Sequence, residues 1–149
     1  MAVLREHPYG RFNFLVDLGT GNAEGPDAGF QECSTIGMEI GVVEYRNGND
    51  RENVPRKLPG VARVSDVTLK RGVIGSLALF EWIRGVGDGA ADRRTVTIQL
   101  IAEDHSGAVM TWRLLRAFPV RYVTGPLDAR GGDVAMEELT LCAERLELE

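Results

Sequence analysis

The segment RTVTIQLIAEDHSGAVMTWRLLRAFPV, residues 94–120, decides the fold of this chain of 149 residues. It predicts two strands, at about Arg94 to Glu103 and Val109 to Val120, joined by Asp104-His105-Ser106-Gly107, a turn of hairpin composition. The same alternation of apolar and polar residues recurs along most of the chain, so we expect a mainly β protein.

Further strands are predicted on both sides of this hairpin. Residues 11–18 predict a strand with one apolar face, and Gly19 to Gly29 is a loop by composition. In the last predicted strand the apolar residues change from even to odd numbers, which predicts a β-bulge near Glu137 and Glu138. The other predicted strands lie at about Phe30 to Ser34, Met38 to Arg46, Val64 to Val73 and Val134 to Leu148.

One helix interrupts the strands. Ser76 is its expected N-cap, it is expected to run to about Val86, and glycines 85, 87 and 89 end it. Its apolar stripe is expected to consist of Leu79, Phe80, Ile83 and Val86. Together these elements predict a single domain over residues 1–149, a β-sandwich or partly closed barrel of about seven strands with the α-helix over one end or edge.

A polar run near residue 50 predicts a protruding arm. The run NGNDREN, residues 47–53, contains an Asn-Gly turn signal between two β-like segments, which is typical of a hairpin spanning about residues 45–59. At ~3.3 Å per residue such a hairpin reaches roughly 20 Å, beyond the edge of a compact domain of this size. The alternative interpretation is a floppy solvated loop.

Composition excludes several classes of protein. Hydrophobic residues make up 44% and charged residues 26%, as in ordinary globular proteins, and no apolar run approaches the ~18 residues of a membrane span. The net charge of -5 argues against nucleic-acid binding, which needs a basic patch. The first residues carry no apolar segment typical of a secretory signal, so we expect synthesis and folding in the cytoplasm. Cys33 and Cys142 are expected to be small buried hydrophobes.

The sequence offers little catalytic chemistry. His7 and His105 lack triad partners and metal-ligand spacing, and neighbouring acids such as Glu137 and Glu138 point to opposite faces of a strand, where a solvated role is expected. The run GVGDGA, residues 85–90, matches a dinucleotide-binding pattern but follows a helix and precedes a strand, the reverse of the order that such a site needs. Trp82 and Trp112 are expected in core or interface packing, with ligand stacking as the alternative. We therefore expect no catalytic, cofactor-binding or metal-binding residues and no enzymatic activity.

Several segments together resemble the tail tube family of contractile phages and of extracellular contractile injection systems. Their order and spacing fit from about residue 7 to residue 148, and the combination of KLPG with LKRG is the more specific part of the match. The matching segments are His7-Pro8-Tyr9-Gly10-Arg11-Phe12-Asn13-Phe14, Ile36 to Ile40 leading to Val43 to Arg46, Arg56 to Gly60, Leu69 to Val73, Leu79 to Trp82, Asp92 to Arg94, Trp112 with Ala117 to Pro119, and Val134 to Glu137 with Leu139 and Leu141.

Two segments depart from the family pattern. Gly19 to Gly29 is longer than the usual turn between the first two strands, and Ile36-Gly37-Met38 stands where a Ser-Gly-Leu type of turn is common. These differences imply either a modified rim of a ring or a specialised paralogue at the end of a tube.

The resemblance implies a structural subunit that forms hexameric rings stacked into a hollow conduit, which a sheath drives through a target membrane. The implied partners are the chain itself, a sheath protein, baseplate or spike and cap proteins, and effector cargo or phage DNA in the lumen, with no membrane anchor. The implied location is the bacterial cytoplasm during assembly and then an injection particle or virion, with extracellular release left open. The residues expected at subunit contacts, on the arm and at a sheet edge, are Tyr45, Arg46, Asn47, Asn49, Arg51, Glu52, Arg56, Lys57, Leu58, Pro59, Lys70 and Arg71.

Three alternatives remain beside the main tube subunit. The first is a tube-end, baseplate-adaptor or cap-proximal member of the same family. The second is the related tube subunit of a type VI secretion system. The third is a small β-barrel enzyme or ligand-binding module, which a deep pocket with converging polar groups would indicate.

Overall fold

A 17-residue strand, Ala108–Thr124, organises the computed structural model, which describes residues 2–149. The strands in chain order are β1 (Phe14–Asp17), β2 (Glu32–Cys33), β3 (Met38–Tyr45), β4 (Arg56–Val64), β5 (Val67–Gly72), β6 (Arg94–Ile101), β7 (Ala108–Thr124), β8 (Met136–Cys142) and β9 (Arg145–Leu148). A 3-10 turn at Pro26–Ala28 and helix α1 (Ala78–Gly87) complete the elements. The predicted mainly β fold with one α-helix is confirmed.

Seven of the strands form one open antiparallel sheet that bends at β7. The order is β1-β6-β7-β8-β5-β2, and β9 also pairs with β7. The first part of β7 pairs with β6 and β9, whereas the part from Phe118 onwards pairs with β8. Between the two parts Arg116 has a positive φ of 52°, and the register shifts between Pro119 and Arg121. One strand therefore belongs to both halves of the sheet.

The core lies where the two halves of the sheet meet α1. Along β5 and β8 every second residue is buried, which is the expected alternation of a strand with one face in the core. Buried side chains come from both halves and from the helix: Val16, Leu18, Val67, Leu69, Leu79, Trp82, Val96, Ile98, Leu114, Ala117, Leu139, Leu141 and Ala143.

The helix begins one residue later than expected, and its predicted stripe faces the core except at Phe80. Ser76 Oγ accepts a hydrogen bond from the Ala78 N–H at 3.3 Å, but the helix itself starts at Ala78. The buried stripe is centred on Trp82, whose indole Nε1 donates to the Asp92 carbonyl at 2.9 Å. Phe80, expected in the stripe, is exposed instead, because it lies two positions from Trp82 and so on another face of the helix.

The predicted bulge near Glu137 and Glu138 is wrong. β8 pairs with β5 in unbroken register from Met136 opposite Gly72 to Leu141 opposite Val67. The odd-numbered phase therefore already starts at Glu137, which is 2% exposed rather than solvated, and Val134 precedes the strand.

The arm is larger than its predicted range of residues 45–59. β3 and β4 form a separate two-stranded sheet over residues 38–64, with a register shift between Ile40 and Val42 opposite Gly60 and Val61. Every residue of both strands except Val64 is exposed, so the strand predicted at Met38 to Arg46 does not enter the core. Within the subunit, β4 touches β9.

Candidate assembly surfaces

The arm, residues 38–64, carries apolar side chains on both of its faces. Alternation along β3 puts Met38, Ile40 and Val42 on one face and Val43 and Tyr45 on the other. A two-stranded hairpin alone is at best marginally stable in water, so a free arm of this composition calls for a partner surface. Its exposed large hydrophobic residues, each between 47% and 74% exposed, are Met38, Ile40, Val42, Val43, Tyr45, Val54, Leu58 and Val61.

The tip of the arm is held by hydrogen bonds of its own. Arg46 Nε donates to the Glu52 carbonyl at 2.9 Å, and Arg46 Nη2 donates to the Asp50 carbonyl at 2.8 Å. The Asp50 carboxylate accepts from the Asn47 N–H and from Arg56 Nη2, both at 3.1 Å. The tip is thus an ordered turn, which argues against a floppy solvated loop.

The residues predicted at contacts on the arm divide into two groups. One group makes hydrogen bonds within the tip: Arg46, Asn47 and Arg56 each donate to Asp50. Side chains exposed to solvent along the tip and β4 include Asn49, Arg51, Glu52, Lys57, Leu58 and Pro59, while Tyr45 is exposed and hydrogen-bonded to Asn47.

Lys70 and Arg71 do not lie at a free sheet edge. β5 pairs with β8 on one side and with β2 on the other, so β2 is the edge of this half of the sheet. Lys70 points outward, with Nζ 3.4 Å from Glu138 Oε1. Arg71 points inward and is 1% exposed, so its prediction as a subunit contact is corrected.

Arg71 forms a buried ion pair that ties a loop to two strands. Its Nε donates to Glu137 Oε1 at 2.6 Å, and its Nη1 donates to the Asp27 carbonyl at 2.6 Å. Tyr122 donates its hydroxyl to the second Glu137 oxygen at 2.5 Å, and this bond, followed by desolvation, raises the pKa of Tyr122. The cluster fixes the loop of residues 19–29 against β5 and β8, which is a structural role.

A second apolar surface lies at the far end of β5 from the arm. Residues 125–136 enclose a groove of about 470 Å³ whose apolar walls include Leu127 and Val134. The Val73 N–H donates to the Ala135 carbonyl at 2.8 Å and so joins the end of β5 to this groove. We call these residues, together with the exposed apolar residues of the segment that leads into α1 and of its first turn, the groove surface. Its exposed large hydrophobic residues are Val73, Ile74, Leu77, Phe80, Leu127 and Val134.

No arrangement suited to catalysis is found among residues 2–149. No cluster of His, Cys, Asp and Glu in this range could hold a metal ion, and His105 occupies a hairpin turn at a φ of 60°. Cys33 and Cys142 are half-buried rather than fully buried, and burial raises the pKa of the Cys33 thiol to about 11, which keeps it protonated at neutral pH. Nor is any helix in this range long and apolar enough to cross a membrane.

A smaller cavity of about 250 Å³ lies between the loop of residues 19–29 and α1. It is lined mostly by apolar groups such as Leu18, Leu79 and Trp82. Its one cationic side chain, Arg94, pairs with Asp92 at 2.8 Å and lies over the Trp82 ring at 4.3 Å. The side chains of Thr20, Asn22 and Asp27 also line the cavity, so its wall is mainly apolar with a polar part on the loop.

Comparison with known proteins places this architecture in a family. Residues 10–147 match the family model described as T4-like virus tail tube protein gp19. The chain belongs to the tail tube family. This membership confirms the resemblance and the predicted function of a structural tube subunit.

Solved structures similar to this tail tube protein come from extracellular contractile injection systems. A chain of the PVC sheath-tube complex in the extended state is 29% identical, with a TM-score of 0.82 over 97% of this chain and 93% of that chain. A chain of the anti-feeding prophage tube-terminating cap is 25% identical, with a TM-score of 0.82 over 100% and 95%. A chain of the anti-feeding prophage baseplate is 26% identical, with a TM-score of 0.81 over 97% of each chain. No curated protein sequence matches the chain.

Proposed function

We propose that this tail tube protein is the inner-tube subunit of a contractile injection system. In this proposal the subunits close into hexameric rings, and the rings stack into a hollow conduit. A sheath drives the conduit through a target membrane. The observation that carries the proposal is the 29% identity and TM-score of 0.82 with a chain of the PVC sheath-tube complex, over 97% of this chain.

The free edges of the sheet support ring formation. Among residues 2–149, β1 pairs only with β6 and β2 only with β5, so each leaves one row of backbone N–H and C=O groups open. Pairing of such edges between neighbouring subunits satisfies these groups and continues the sheet around a ring. A ring requires a heterologous interface whose rotation closes, and the arm extends from each subunit as one half of such an interface.

The proposed partners follow from the assemblies in which the similar chains occur. Those assemblies are a sheath-tube complex, a tube-terminating cap and a baseplate, and we extend the corresponding partners to this chain. Effector cargo or phage DNA is the proposed content of the lumen. We propose a purely structural role without enzymatic activity, assembly in the cytoplasm and a final place in the injection particle.

A tube-end or adaptor subunit is the second candidate function. It is favoured by the similarity to the cap chain, which has the same TM-score of 0.82 as the sheath-tube chain. Copy number separates the two candidates: hundreds of copies per particle indicate the main tube, and one or a few rings indicate a tube end.

Negative-stain electron microscopy and native mass spectrometry of the purified protein test the proposal. We expect six-membered rings or short tubes as the concentration rises. A monomeric mass at every concentration, with no tubes in the presence of sheath or baseplate proteins, would overturn it. Quantitative mass spectrometry of isolated particles then gives the copy number.

A further inference from the structure

The cavity between the loop of residues 19–29 and α1 is larger than the gaps that side-chain packing leaves in a small domain. Its volume is about 250 Å³, whereas protein interiors contain few voids larger than a water molecule. An apolar cavity of about 150 Å³ already holds a benzene molecule. The cavity therefore has room for one aromatic ring with substituents or for two fused rings.

Hydrogen bonds hold the loop that forms one wall of the cavity in a single shape. The Asp17 carboxylate accepts three successive backbone N–H groups, those of residues 19–21, at 3.0 to 3.1 Å. Asn22 Oδ1 accepts two more, those of residues 24 and 25, at 3.1 and 3.0 Å. Arg71 Nη1 anchors the Asp27 carbonyl at 2.6 Å. This wall is formed without a ligand, which lowers the conformational cost of binding one.

The inner side of the cavity is apolar and fixed. It is formed by Leu18, directly after β1, and by Leu79 and Trp82 on α1, each at most 8% exposed. The Trp82 indole donates to the Asp92 carbonyl at 2.9 Å, and the Arg94 guanidinium lies 4.3 Å from the centre of its ring. An aromatic ligand gains more from contact with a fixed aromatic side chain than buried area alone provides.

The loop side of the cavity supplies a hydrogen-bond acceptor and negative charge. Asp27 is bonded through its backbone carbonyl, while its carboxylate accepts no hydrogen bond from residues 2–149. The loop carries Glu24 and Asp27 and no basic residue, and the charge of Arg94 is already offset by Asp92 at 2.8 Å. An anionic ligand is therefore disfavoured, whereas an O–H or N–H donor matches the free carboxylate.

We propose that this cavity binds a small neutral aromatic molecule with one hydrogen-bond donor, a phenol or an indole, whose ring lies against Leu79 and Trp82 and whose O–H or N–H group faces Asp27. The ligand joins the loop to α1 and stabilises the folded subunit by mass action. This site goes beyond the proposed function and is tested on the dilute subunit, before any ring forms, so the two proposals fail independently.

The first test measures the binding of 4-methylphenol through the fluorescence of Trp82. The chain has two tryptophans, so Trp112→Phe leaves Trp82 as the sole reporter. Excitation beyond the absorption of the phenol isolates the tryptophan emission. We expect a saturable change in emission with half-saturation below about 1 mM, as for a ligand of this size. A change that rises linearly without saturation would overturn the proposal.

The second test fills the cavity and reads the melting temperature of proteins that keep both tryptophans. Ala28→Leu fills it from the loop and Ala78→Leu from the helix, while Ala129→Leu is the matched control, because Ala129 is exposed in a loop outside the cavity. We expect 4-methylphenol to raise the melting temperature of the parent and of the control and to leave both filled variants unchanged. Equal rises in all four proteins would overturn the proposal, since the phenol would then bind elsewhere.

The third test separates the hydrogen bond from the apolar contact. Toluene has the ring of 4-methylphenol without its O–H group, and 4-methylbenzoate carries an anion in place of that group. We expect the phenol to bind more tightly than toluene by about threefold or more, and more tightly than the benzoate by about tenfold or more. Asp27→Ala should abolish the preference for the phenol over toluene. Equal binding of the benzoate, or a preference that survives Asp27→Ala, would overturn the assigned ligand chemistry.

Discussion

At the scale of single residues, the ion pair between Arg71 and Glu137 is the most consequential polar contact in the core. Both side chains are almost fully buried, and Glu137 is further bound by Tyr122. A buried charge that loses its partner is strongly destabilising because its desolvation is no longer offset. The neighbouring Lys70 and Glu138 form a similar pair on the exposed face of the same two strands. Adjacent positions thus compare a buried pair with an exposed one.

We predict that Arg71→Met lowers the free energy of unfolding by about 3–5 kcal/mol, because Glu137 remains buried without a counter-charge. Lys70→Met should cost at most about 1 kcal/mol, since exposed ion pairs contribute little. Urea denaturation, at a protein concentration too low for assembly, measures the free energy of unfolding of both variants. Equal losses for the two variants would show that the buried pair carries no special weight.

A second prediction concerns the start of the chain. Both terminal nitrogens of Arg5 donate to the Glu103 carboxylate, which also accepts the Gly10 N–H, and these bonds lower the pKa of Glu103 to about 2. A depressed carboxyl pKa stabilises the bound segment fully above the unfolded value of about 4.5, and this stabilisation is lost as the pH falls from about 4.5 to about 2. The protection factors of the hydrogen-bonded Val3 and Gly10 amides against hydrogen exchange should therefore persist at pH 4. Glu103→Gln should make the exchange fast at pH 7, and Glu6→Gln, the control, should leave it unchanged.

At the scale of secondary-structure elements, sequence patterns predicted the strands well and the buried face of helix α1 except at Phe80. Alternation marked β6, β7 and most of β8 because those strands have one face in the core and the other towards solvent. The predicted stripe left out Trp82, which is buried and donates its indole N–H to the Asp92 carbonyl. The strand predicted at Met38 to Arg46 is confirmed as β3, although both of its faces are exposed.

The helix supplies a matched pair of substitutions. Leu79 is 2% exposed and Phe80 is 45% exposed, although they are neighbours in the chain. We predict that Leu79→Ala lowers the free energy of unfolding by about 2–5 kcal/mol through loss of core packing, and that Phe80→Ala lowers it by less than about 1 kcal/mol. Thermal melting compares the two. If Phe80→Ala costs as much as Leu79→Ala, the helix faces the core with a different side.

The arm supplies a prediction about assembly. Replacing Gly48 to Asn53 with a two-residue turn removes the ordered tip and leaves β3, β4 and the core in place. We expect an unchanged circular dichroism spectrum and melting temperature for the dilute subunit, together with the loss of rings in micrographs. The control keeps the length of the tip and changes only Arg51 and Glu52 to serine. Tubes as before, or an unfolded domain, would contradict the assignment of the arm to subunit contacts.

At the scale of the whole molecule, the groove surface shows what sequence could not predict. Its parts, residues 73–80 and residues 125–136, are about fifty positions apart, and each segment alone shows only a few apolar residues, the first at the start of α1 and the second in a loop. They meet only because β5 and β8 pair with Gly72 opposite Met136. The arm, in contrast, is continuous in the chain, so its polar tip and β-like flanks predicted it locally. The sequence therefore indicated the arm and missed the groove surface.

The melting temperature should depend on protein concentration if the arm mediates contacts between subunits. Assembly binds only the folded subunit, so it stabilises the fold by mass action. We predict that the melting temperature of the parent rises as protein concentration increases, while that of the arm-shortened variant stays constant. Differential scanning fluorimetry over a hundredfold range of concentration measures the difference. A parent melting temperature independent of concentration would argue against assembly through the arm.

The continuity of β7 has a mechanical consequence. Because one strand of 17 residues runs through both halves of the sheet, any axial load on a subunit passes along a covalent backbone and not through side-chain packing alone. For the two halves of the sheet to slide past each other, several backbone hydrogen bonds along β7 must break at the same time. Such a row of bonds, loaded along the strand, shares the force and resists the sliding. The bend at Arg116 is then a fixed angle between the two halves of the sheet and not a hinge. In the proposed tube, subunits built in this way would transmit force with little internal compliance, and the stack would behave as a stiff rod.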